Sequence, residues 1–224
     1  MKHQPTSNFD ERSAEIPIDM LVLHYTGMES AQAAIDRLCD PGTKVSAHYV
    51  IDEDGALTQL VGEDCRAWHA GEACWRGDHD INARSIGIEL VNPGHEFGYR
   101  AFPEPQMAAL IDLAIGILDR HPIAPRNVVG HSDVAPTRKT DPGELFDWAG
   151  LTQAGVGLWP GDANPVEADE AQVLEWLNTY GYDTTDGAQA ITAFQRHFCP
   201  QTLDGRADAL TAGRLRALLD RCET

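Results

Sequence analysis

The sequence has no long apolar run, no surplus of basic residues and no paired-cysteine motif. The longest helix-like apolar segment, residues 107–118, is interrupted by Asp112, so no stretch is long enough to span a membrane. The chain carries 17 Lys and Arg against 35 Asp and Glu, a net charge of −18. That acidic excess argues against nucleic acid or an anionic membrane surface as a partner.

The five cysteines are odd in number and none are spaced as CxxC. A disulfide framework is therefore not expected, and a reducing compartment is the simpler interpretation. Residues 1–15 contain no apolar segment of the signal-peptide type and are predicted to be a disordered lead-in. These features favour a cytoplasmic location, with the periplasm as the alternative if a natural leader is missing.

Apolar runs of strand length alternate with helix-like segments over the first two thirds of the chain. The predicted strands are residues 19–24, 45–51, 56–61, 85–91 and 127–130. One helix is predicted to open at Ser30 and another to span residues 104–120, with Ile111 and Ile115 among the apolar residues on its buried face. Strands interleaved with helices indicate an α/β or α+β domain around one central sheet.

The composition changes after residue 152. Residues 153–166 are rich in Gly, Pro and small residues and are predicted to be a linker. Three helix-like segments follow, at residues 167–180, 187–198 and 211–221. Their apolar residues recur at helical spacing and would form a small three-helix core. The predicted division is therefore a domain over residues 16–152 and an all-α domain over residues 167–224.

Three side chains of metal-ligating type lie where strands end or loops turn. His24 closes the first predicted strand, His131 follows the last one, and Asp141 opens an Asp-Pro-Gly turn. Two imidazoles and one carboxylate are three protein ligands for zinc that leave a fourth position for water, the arrangement of catalytic zinc sites. From spacing alone, hydrogen-bonded structural contacts in an ordinary loop are the alternative.

Five motifs occur in order along the chain: LHYT (23–26), VSAHYVI (45–51), RAWHAG (66–71), SIGIEL (85–90) and GHSDVAPTRKTDPG (130–143). Together they resemble the zinc-dependent N-acetylmuramoyl-L-alanine amidases of the AmpD and AmiD type, relatives of T7-type lysozyme and of peptidoglycan recognition proteins. The resemblance implies a mixed central sheet flanked by helices, with Zn²⁺ in a surface groove held by His24, His131 and Asp141. It implies hydrolysis of the amide bond between N-acetylmuramic acid, or its 1,6-anhydro form, and L-alanine of the stem peptide.

Glu89 and Lys139 are the predicted catalytic side chains. Glu89 lies in the otherwise apolar strand SIGIEL, where a carboxylate needs a partner or a cleft. The resemblance makes it the general base, and an ion pair with an arginine such as Arg84 is the alternative. Lys139 would stabilise the oxyanion beside Asp141, with a solvated surface lysine as the alternative. The division of proton transfer between Glu89 and Lys139 is left open.

Further residues are candidates for binding the substrate: Arg66, Trp68, His69, Asn82 and Arg84. His69 is not expected to be a fourth ligand, because it would close the site to water. Arg66 would contact the sugar or lactyl region, whereas Asn82 and Arg84 would contact the stem peptide or brace a loop. His48, which alternates with apolar neighbours, is predicted to be a satisfied structural histidine.

The C-terminal segment, with AITAFQRHF followed by LDG, resembles the peptidoglycan-binding module often attached to cell-wall hydrolases; an unrelated helical bundle is the alternative. Such a module would raise the local concentration of the enzyme on a polymer. The unpaired cysteines and the lack of a signal-type segment favour soluble anhydro-muropeptides instead. The sequence does not choose between these muropeptides and the polymer.

The sequence thus predicts a monomeric zinc amidase acting on peptidoglycan or muropeptides. One alternative is a recognition protein that binds peptidoglycan without cutting it. Another is a structural metal site in an unrelated hydrolase.

Overall fold

A computed structural model describes residues 1–222 of the chain. The strands within these residues are β1 (Lys2–His3), β2 (Phe9–Glu11), β3 (Met20–Tyr25), β4 (Tyr49–Ile51), β5 (Leu57–Gln59), β6 (Cys65–Ala67), β7 (Ser85–Leu90) and β8 (Val128–Gly130). The helices in the same part of the chain are α1 (Ala31–Cys39), α2 (Ile81–Arg84), α3 (Gly94–Phe97), α4 (Glu104–Arg120), α5 (His131–Val134), α6 (Trp148–Gln153), α7 (Glu170–Tyr180), α8 (Gly187–Phe198) and α9 (Ala209–Cys222). Over the described range, no helix has both the length and the apolar character needed to cross a bilayer.

Six strands form one mixed sheet in the order β1-β5-β4-β7-β3-β8, and β2 pairs with β6 outside it. The neighbours β7, β3 and β8 are parallel, whereas β4 and β5 form an antiparallel hairpin. The predicted α/β class, a mixed central sheet flanked by helices with a helical C-terminal region, is confirmed. The strand predicted over residues 45–51 is shorter and covers Tyr49–Ile51, while the Ser46 amide donates to the carbonyl of Trp68.

Strand β3 is buried on both faces and separates two apolar cores. Leu21 and Leu23 pack in the core that contains α4. Met20 and Val22 point the opposite way and pack in a core that contains residues of α7, α8 and α9. The apolar run MLVL therefore packs into both cores, as is typical of strands in parallel sheets covered on both faces.

The buried face of α4 differs from the predicted one. Ile115 is 40% exposed, while Gln106 is fully buried and donates to the carbonyls of Ile51 and Val91. The helix presents Gln106, Leu110, Ala114 and Ile117 to the sheet. The apolar pattern did not reveal this rotation because a hydrogen-bonded glutamine occupies the first position of the face.

The C-terminal helices pack against the central sheet. Tyr180, Phe194 and Leu215 share one apolar cluster with Met20 of β3 and Trp75. Residues 153–166, predicted to be a linker, are packed as well. Trp159 contacts both apolar cores, and the Val166 amide donates to the carbonyl of Ala209.

The prediction of a disordered lead-in over residues 1–15 is wrong. Strand β1 pairs with β5 and strand β2 pairs with β6. Asn8 is buried, and its side-chain amide donates to the carbonyls of Leu38, Asp40 and Val45. The segment has few apolar residues, and its Met1 and Phe9 are exposed. Its order therefore comes from hydrogen bonds to neighbouring backbone, which hydrophobic patterning does not detect.

The end of α4 is tied to the sheet by one carboxylate. Glu63 accepts hydrogen bonds from Tyr49 (2.7 Å), from Arg120 (2.7 Å) and from His121 (2.7 Å). Burial acts to raise the pKa of the Glu63 carboxyl, but these donors outweigh it and lower the pKa to about 2 from an ordinary 4.5. Because the folded-state pKa is the lower one, the interaction stabilises the fold above about pH 4.5 and is lost as the pH falls toward 2.

Replacing Glu63 by Gln is therefore expected to lower the Tm at pH 7. The difference from the unaltered protein should shrink as the pH is lowered from 5 toward 2, since the native carboxylate is then protonated too. Thermal unfolding across this pH range measures it, with the exposed Glu29→Gln as control. A constant difference at every pH would contradict the assignment.

Candidate metal and catalytic site

Three ligating side chains meet at one edge of the central sheet. His24 lies at the end of β3, and His131 follows β8 directly. Both strands run parallel, so their carboxyl ends share this edge. Asp141 reaches the same place from the loop after α5, where the Ser132 amide donates to the carbonyl of Asp141 at 2.9 Å.

The ligating atoms of these three buried residues are close together. His24 Nδ1 lies 2.9 Å from His131 Nδ1, and each nitrogen lies 3.1 Å from Asp141 Oδ2. Within residues 1–222 this is the group of His, Cys, Asp and Glu side chains arranged to hold a metal ion.

The proton on His131 is placed by its backbone partner. Its Nε2 lies 2.9 Å from the carbonyl oxygen of Ala70, which can only accept a hydrogen bond. Nε2 therefore donates, and in the neutral ring Nδ1 carries a lone pair directed at His24 and Asp141.

The proton on His24 is placed by a longer chain of contacts. The Ser85 hydroxyl donates to the carbonyl of Ile81 at 2.6 Å, so its oxygen must accept from His69 Nε2 at 3.1 Å. His69 Nδ1 is then bare and accepts from His24 Nε2, also at 3.1 Å. His24 Nδ1 is left with a lone pair, like His131 Nδ1.

Three acceptor atoms thus face one another without a proton between them. Such a cluster is repulsive unless a cation lies among the three atoms. Metal–ligand bonds of about 2.0 Å in a tetrahedron place ligand atoms about 3.3 Å apart, close to the separations found for His24, His131 and Asp141. The donor set and its spacing therefore fit a small borderline-soft divalent cation.

The protonation states agree with this arrangement. Burial, followed by the neighbouring His131, lowers the pKa of the His24 imidazole to about 4, so this ring is neutral at pH 7. Burial acts to raise the pKa of the Asp141 carboxyl, but the two imidazoles outweigh it and hold the pKa well below its usual range. Asp141 is therefore charged, as a metal ligand must be.

Glu89 stands beside His24 on the neighbouring strand. The two residues are directly paired in the register of β3 and β7, so their side chains lie on the same face of the sheet. Glu89 Oε2 is buried without a hydrogen-bond partner within the chain. Burial, and then the charge of Asp141, raise the pKa of the Glu89 carboxyl well above its usual range, with Lys139 opposing.

The strand that carries Glu89 alternates between apolar residues on one face and small or polar residues on the other, and this alternation is visible in the sequence. Ile86, Ile88 and Leu90 pack in the α4 core. The other face carries Ser85, Gly87 and Glu89. A Cβ atom at Gly87 would lie 2.4 Å from the His69 ring, so glycine is required where that ring crosses the strand. The polar and small residues of SIGIEL therefore form the floor under His69, and the prediction missed Ser85 and Gly87.

A cavity of about 590 Å³ opens above these residues. Of the predicted site residues, the cavity is lined by His24, Trp68, His69, Glu89, His131, Lys139 and Asp141. Sequence reasoning missed further lining residues, among them Tyr25, Met28, Arg37, Glu96, Phe97 and Arg138. Tyr25 and Arg138 lie inside the recognised motifs, whereas the others come from segments without a motif.

Three of the predicted substrate-binding residues are not brought to this cavity. Arg66 is engaged by Asp10 and Asp80, each at 2.8 Å. Arg84 is engaged by Asp19 and by Asp78 rather than by Glu89.

Asn82 accepts hydrogen bonds from the amides of His69 and Ala70 and so braces the RAWHAG segment. His69 borders the cavity, but both of its ring nitrogens are used behind His24. His48 is fully buried, and its Nδ1 accepts from the Gly87 amide at 2.9 Å, which confirms its structural role.

The sequence matches the protein family described as N-acetylmuramoyl-L-alanine amidase over residues 14–144. It is 39% identical to the N-acetylmuramoyl-L-alanine amidase AmiD of Escherichia coli, over 91% of this chain and 83% of that one. It is 42% identical to the 1,6-anhydro-N-acetylmuramyl-L-alanine amidase AmpD of Citrobacter freundii, over 65% of this chain and 84% of the relative.

Solved structures are similar over nearly the whole chain. The complex of E. coli AmiD with anhydro-N-acetylmuramic acid-L-Ala-D-γ-Glu-L-Lys superposes with a TM-score of 0.83, covering 94% of this chain and 92% of that one at 39% identity. AmpDh3 from Pseudomonas aeruginosa superposes with a TM-score of 0.82, covering 99% of each chain at 32% identity. The similarity therefore extends over the helical C-terminal region as well as the sheet.

Ser85→Ala is expected to weaken binding of a divalent metal about tenfold, because His69 loses the acceptor that fixes its tautomer. Competition with a chromophoric chelator for Zn²⁺ or Co²⁺ measures the affinity. Thr6→Val is the matched control, since the buried Thr6 hydroxyl also donates to a backbone carbonyl, at 3.1 Å, far from His24. Equal effects of both variants would show that lost stability, not the tautomer, is responsible.

Proposed function

Because this chain belongs to the N-acetylmuramoyl-L-alanine amidase family, we propose that it hydrolyses the amide bond between the lactyl group of N-acetylmuramic acid, or its 1,6-anhydro form, and L-alanine. The observation that carries the proposal is the convergence of three metal-accepting atoms beside an unpartnered buried carboxylate oxygen on Glu89.

Nδ1 of His24, Nδ1 of His131 and the Asp141 carboxylate would hold Zn²⁺. When bound there, the metal polarises an amide carbonyl and makes water more acidic. The three ligands leave room for solvent, because His69, the next imidazole, is turned away and hydrogen-bonded to His24 and Ser85.

Glu89 would be the general base. Its environment disfavours the charged carboxylate, which makes it a stronger base than an exposed glutamate. It takes the proton from the attacking water and returns it to the amine of L-alanine as the C–N bond breaks. Lys139 lines the same cavity and would stabilise the negative charge that develops on the carbonyl oxygen.

The cavity is less acidic than the net charge of −18 suggests, since cations there offset the carboxylates of Glu89, Glu96 and Asp141. Three cationic side chains line it: Arg37, Arg138 and Lys139. A stem peptide with γ-linked D-glutamate keeps a free α-carboxylate that these cations would attract. The ligands in the structures of AmiD and AmpDh3, an anhydromuramic tripeptide and an anhydromuramic pentapeptide, support muropeptides as the substrate class.

Peptidoglycan binding by the C-terminal helices, a monomeric state and a cytoplasmic location are parts of the same proposal. The free state of Cys39, Cys65, Cys74, Cys199 and Cys222 is compatible with a reducing compartment. Cell fractionation and pull-down on insoluble murein test location and wall binding directly.

Glu89→Gln is expected to lower kcat by about 10²- to 10⁴-fold, because the general base is lost while the shape of the cavity is kept. Chromatographic detection of stem peptide released from anhydro-muropeptide measures the rate, and the metal content should stay that of the unaltered protein. Glu53→Gln, on the exposed ion pair with Arg100, is the control. Undiminished cleavage by Glu89→Ala would remove Glu89 from the mechanism.

Removing the metal with a chelator is expected to abolish cleavage of both anhydro-muropeptide and polymeric sacculi, and added Zn²⁺ should restore it. The ratio of kcat/KM on the two substrates then decides between recycling and wall turnover. Binding to sacculi without release of stem peptide, under zinc-replete conditions, would favour a recognition protein. Full activity in metal-free protein would end the metal-dependent mechanism.

A further inference from the structure

Two residues of the C-terminal region contact the turn that carries the metal ligands through one buried carboxylate, Asp133. Tyr182 lies in the loop between α7 and α8, and His197 lies in α8. We infer that Tyr182 and His197 are positioning residues for the catalytic site, acting through Asp133 on the turn that presents His131 and Asp141. The inference rests on the proposed function for the identity of the ligands, and it assigns to the C-terminal helices a role other than wall binding.

Asp133 is fully buried and accepts three hydrogen bonds. Its Oδ2 accepts from the Gly130 amide and from His197 Nδ1, each at 2.7 Å. Its Oδ1 accepts from the Tyr182 hydroxyl, also at 2.7 Å. The Gly130 contact is local and closes the turn immediately before His131.

The other two donors lie far away in the chain, which separates this arrangement from an ordinary helix cap. Tyr182 and His197 come 49 and 64 residues after Asp133. A cap would need only the Gly130 amide. Asp133 therefore joins the ligand turn to the C-terminal helices, and a buried carboxylate depends on every donor it has.

His197 also supports the turn through its ring. It stacks on Trp148 with the ring centroids 3.7 Å apart and on Phe198 at 3.8 Å. Trp148 in turn abuts the backbone at Gly130, where a Cβ atom would lie 3.3 Å from the indole and 2.7 Å from Pro142. The packing therefore supports the backbone next to two of the ligands, since Gly130 precedes His131 and Pro142 follows Asp141.

Losing a donor leaves Asp133 buried and incompletely hydrogen-bonded. The carboxylate relaxes by moving toward water, which breaks its contact with the Gly130 amide. The turn over residues 130–134 then opens more often, and the direction of His131 Nδ1 is no longer fixed. The amide of Ser132, which holds the Asp141 carbonyl, moves with it. Metal affinity falls because two of the three ligands lose their preorganised positions.

The test uses Tyr182→Phe and His197→Leu in the full-length protein, each with a matched control. Tyr180→Phe removes a buried hydroxyl from the same apolar cluster without touching Asp133. Leu219→Ala destabilises the C-terminal helices at a distance from the turn. His197→Asn, whose side-chain amide can donate near the position of Nδ1, should restore part of the effect.

Two readouts are independent of catalysis. Amide hydrogen exchange over residues 128–134 should become faster in Tyr182→Phe and His197→Leu, and stay unchanged in Tyr180→Phe. Affinity for Co²⁺ and Zn²⁺, from chelator competition and the visible spectrum of bound Co²⁺, should fall about tenfold in the same two variants. For metal-saturated enzyme the loss should appear in kcat with KM little changed.

Unchanged exchange over residues 128–134 in both variants would overturn the inference, as would equal effects in Leu219→Ala at matched Tm. Metal binding that fails in the unaltered protein would instead overturn the metal-dependent function. In that case the exchange comparison between Tyr182→Phe and Tyr180→Phe still decides whether the C-terminal helices hold the turn.

Discussion

The parallel alignment of β3 with its neighbours β7 and β8 is the constraint on which the site depends. Parallel strands bring their carboxyl ends to one edge, and here those ends carry His24, Glu89 and, one residue further, His131. A shift of one residue in the register of β3 and β7 would move Glu89 to the face packed against α4. The position of Glu89 and those of His24 and His131 therefore follow from the same backbone pairing.

Hydrogen bonds behind His24 and His131 turn the close approach of these side chains to Asp141 into a candidate metal site. Ser85 and His69 fix the proton on His24, and Ala70 fixes the proton on His131. Each contact turns a lone pair toward Asp141. The candidate site thus depends also on residues that are not ligands, and on the direction of protons as much as on the distances between heavy atoms.

The C-terminal helices complete the molecule in two ways. They cover the sheet face on which Met20 and Val22 lie, and they reach the ligand turn through Asp133. A segment that the sequence separates by a Gly- and Pro-rich stretch is therefore part of the same packed body. Composition showed where the sequence changes, but it did not reveal that Val156 would be buried in the α4 core or that the partly buried Trp159 would pack against both cores.

The sequence by itself determined which residue types are available at the site and where most elements lie. The apolar run MLVL, the Ser30 cap and the motif GHSDVAPTRKTDPG were sufficient to place β3, α1 and the ligand turn, because these signals are local. The period-two pattern of SIGIEL also places Ser85 and Gly87 on the same face of the strand as Glu89, although the prediction did not use them.

Only the tertiary structure decided which polar side chains face the cavity and which are used elsewhere. Arg66 and Arg84 are engaged by carboxylates of distant segments, and Asp133 accepts hydrogen bonds from Tyr182 and His197 of the C-terminal region. The order of residues 1–15 was likewise decided by hydrogen bonds to other segments. Such contacts join residues far apart in the chain, so they depend on register and packing, which local patterns do not encode.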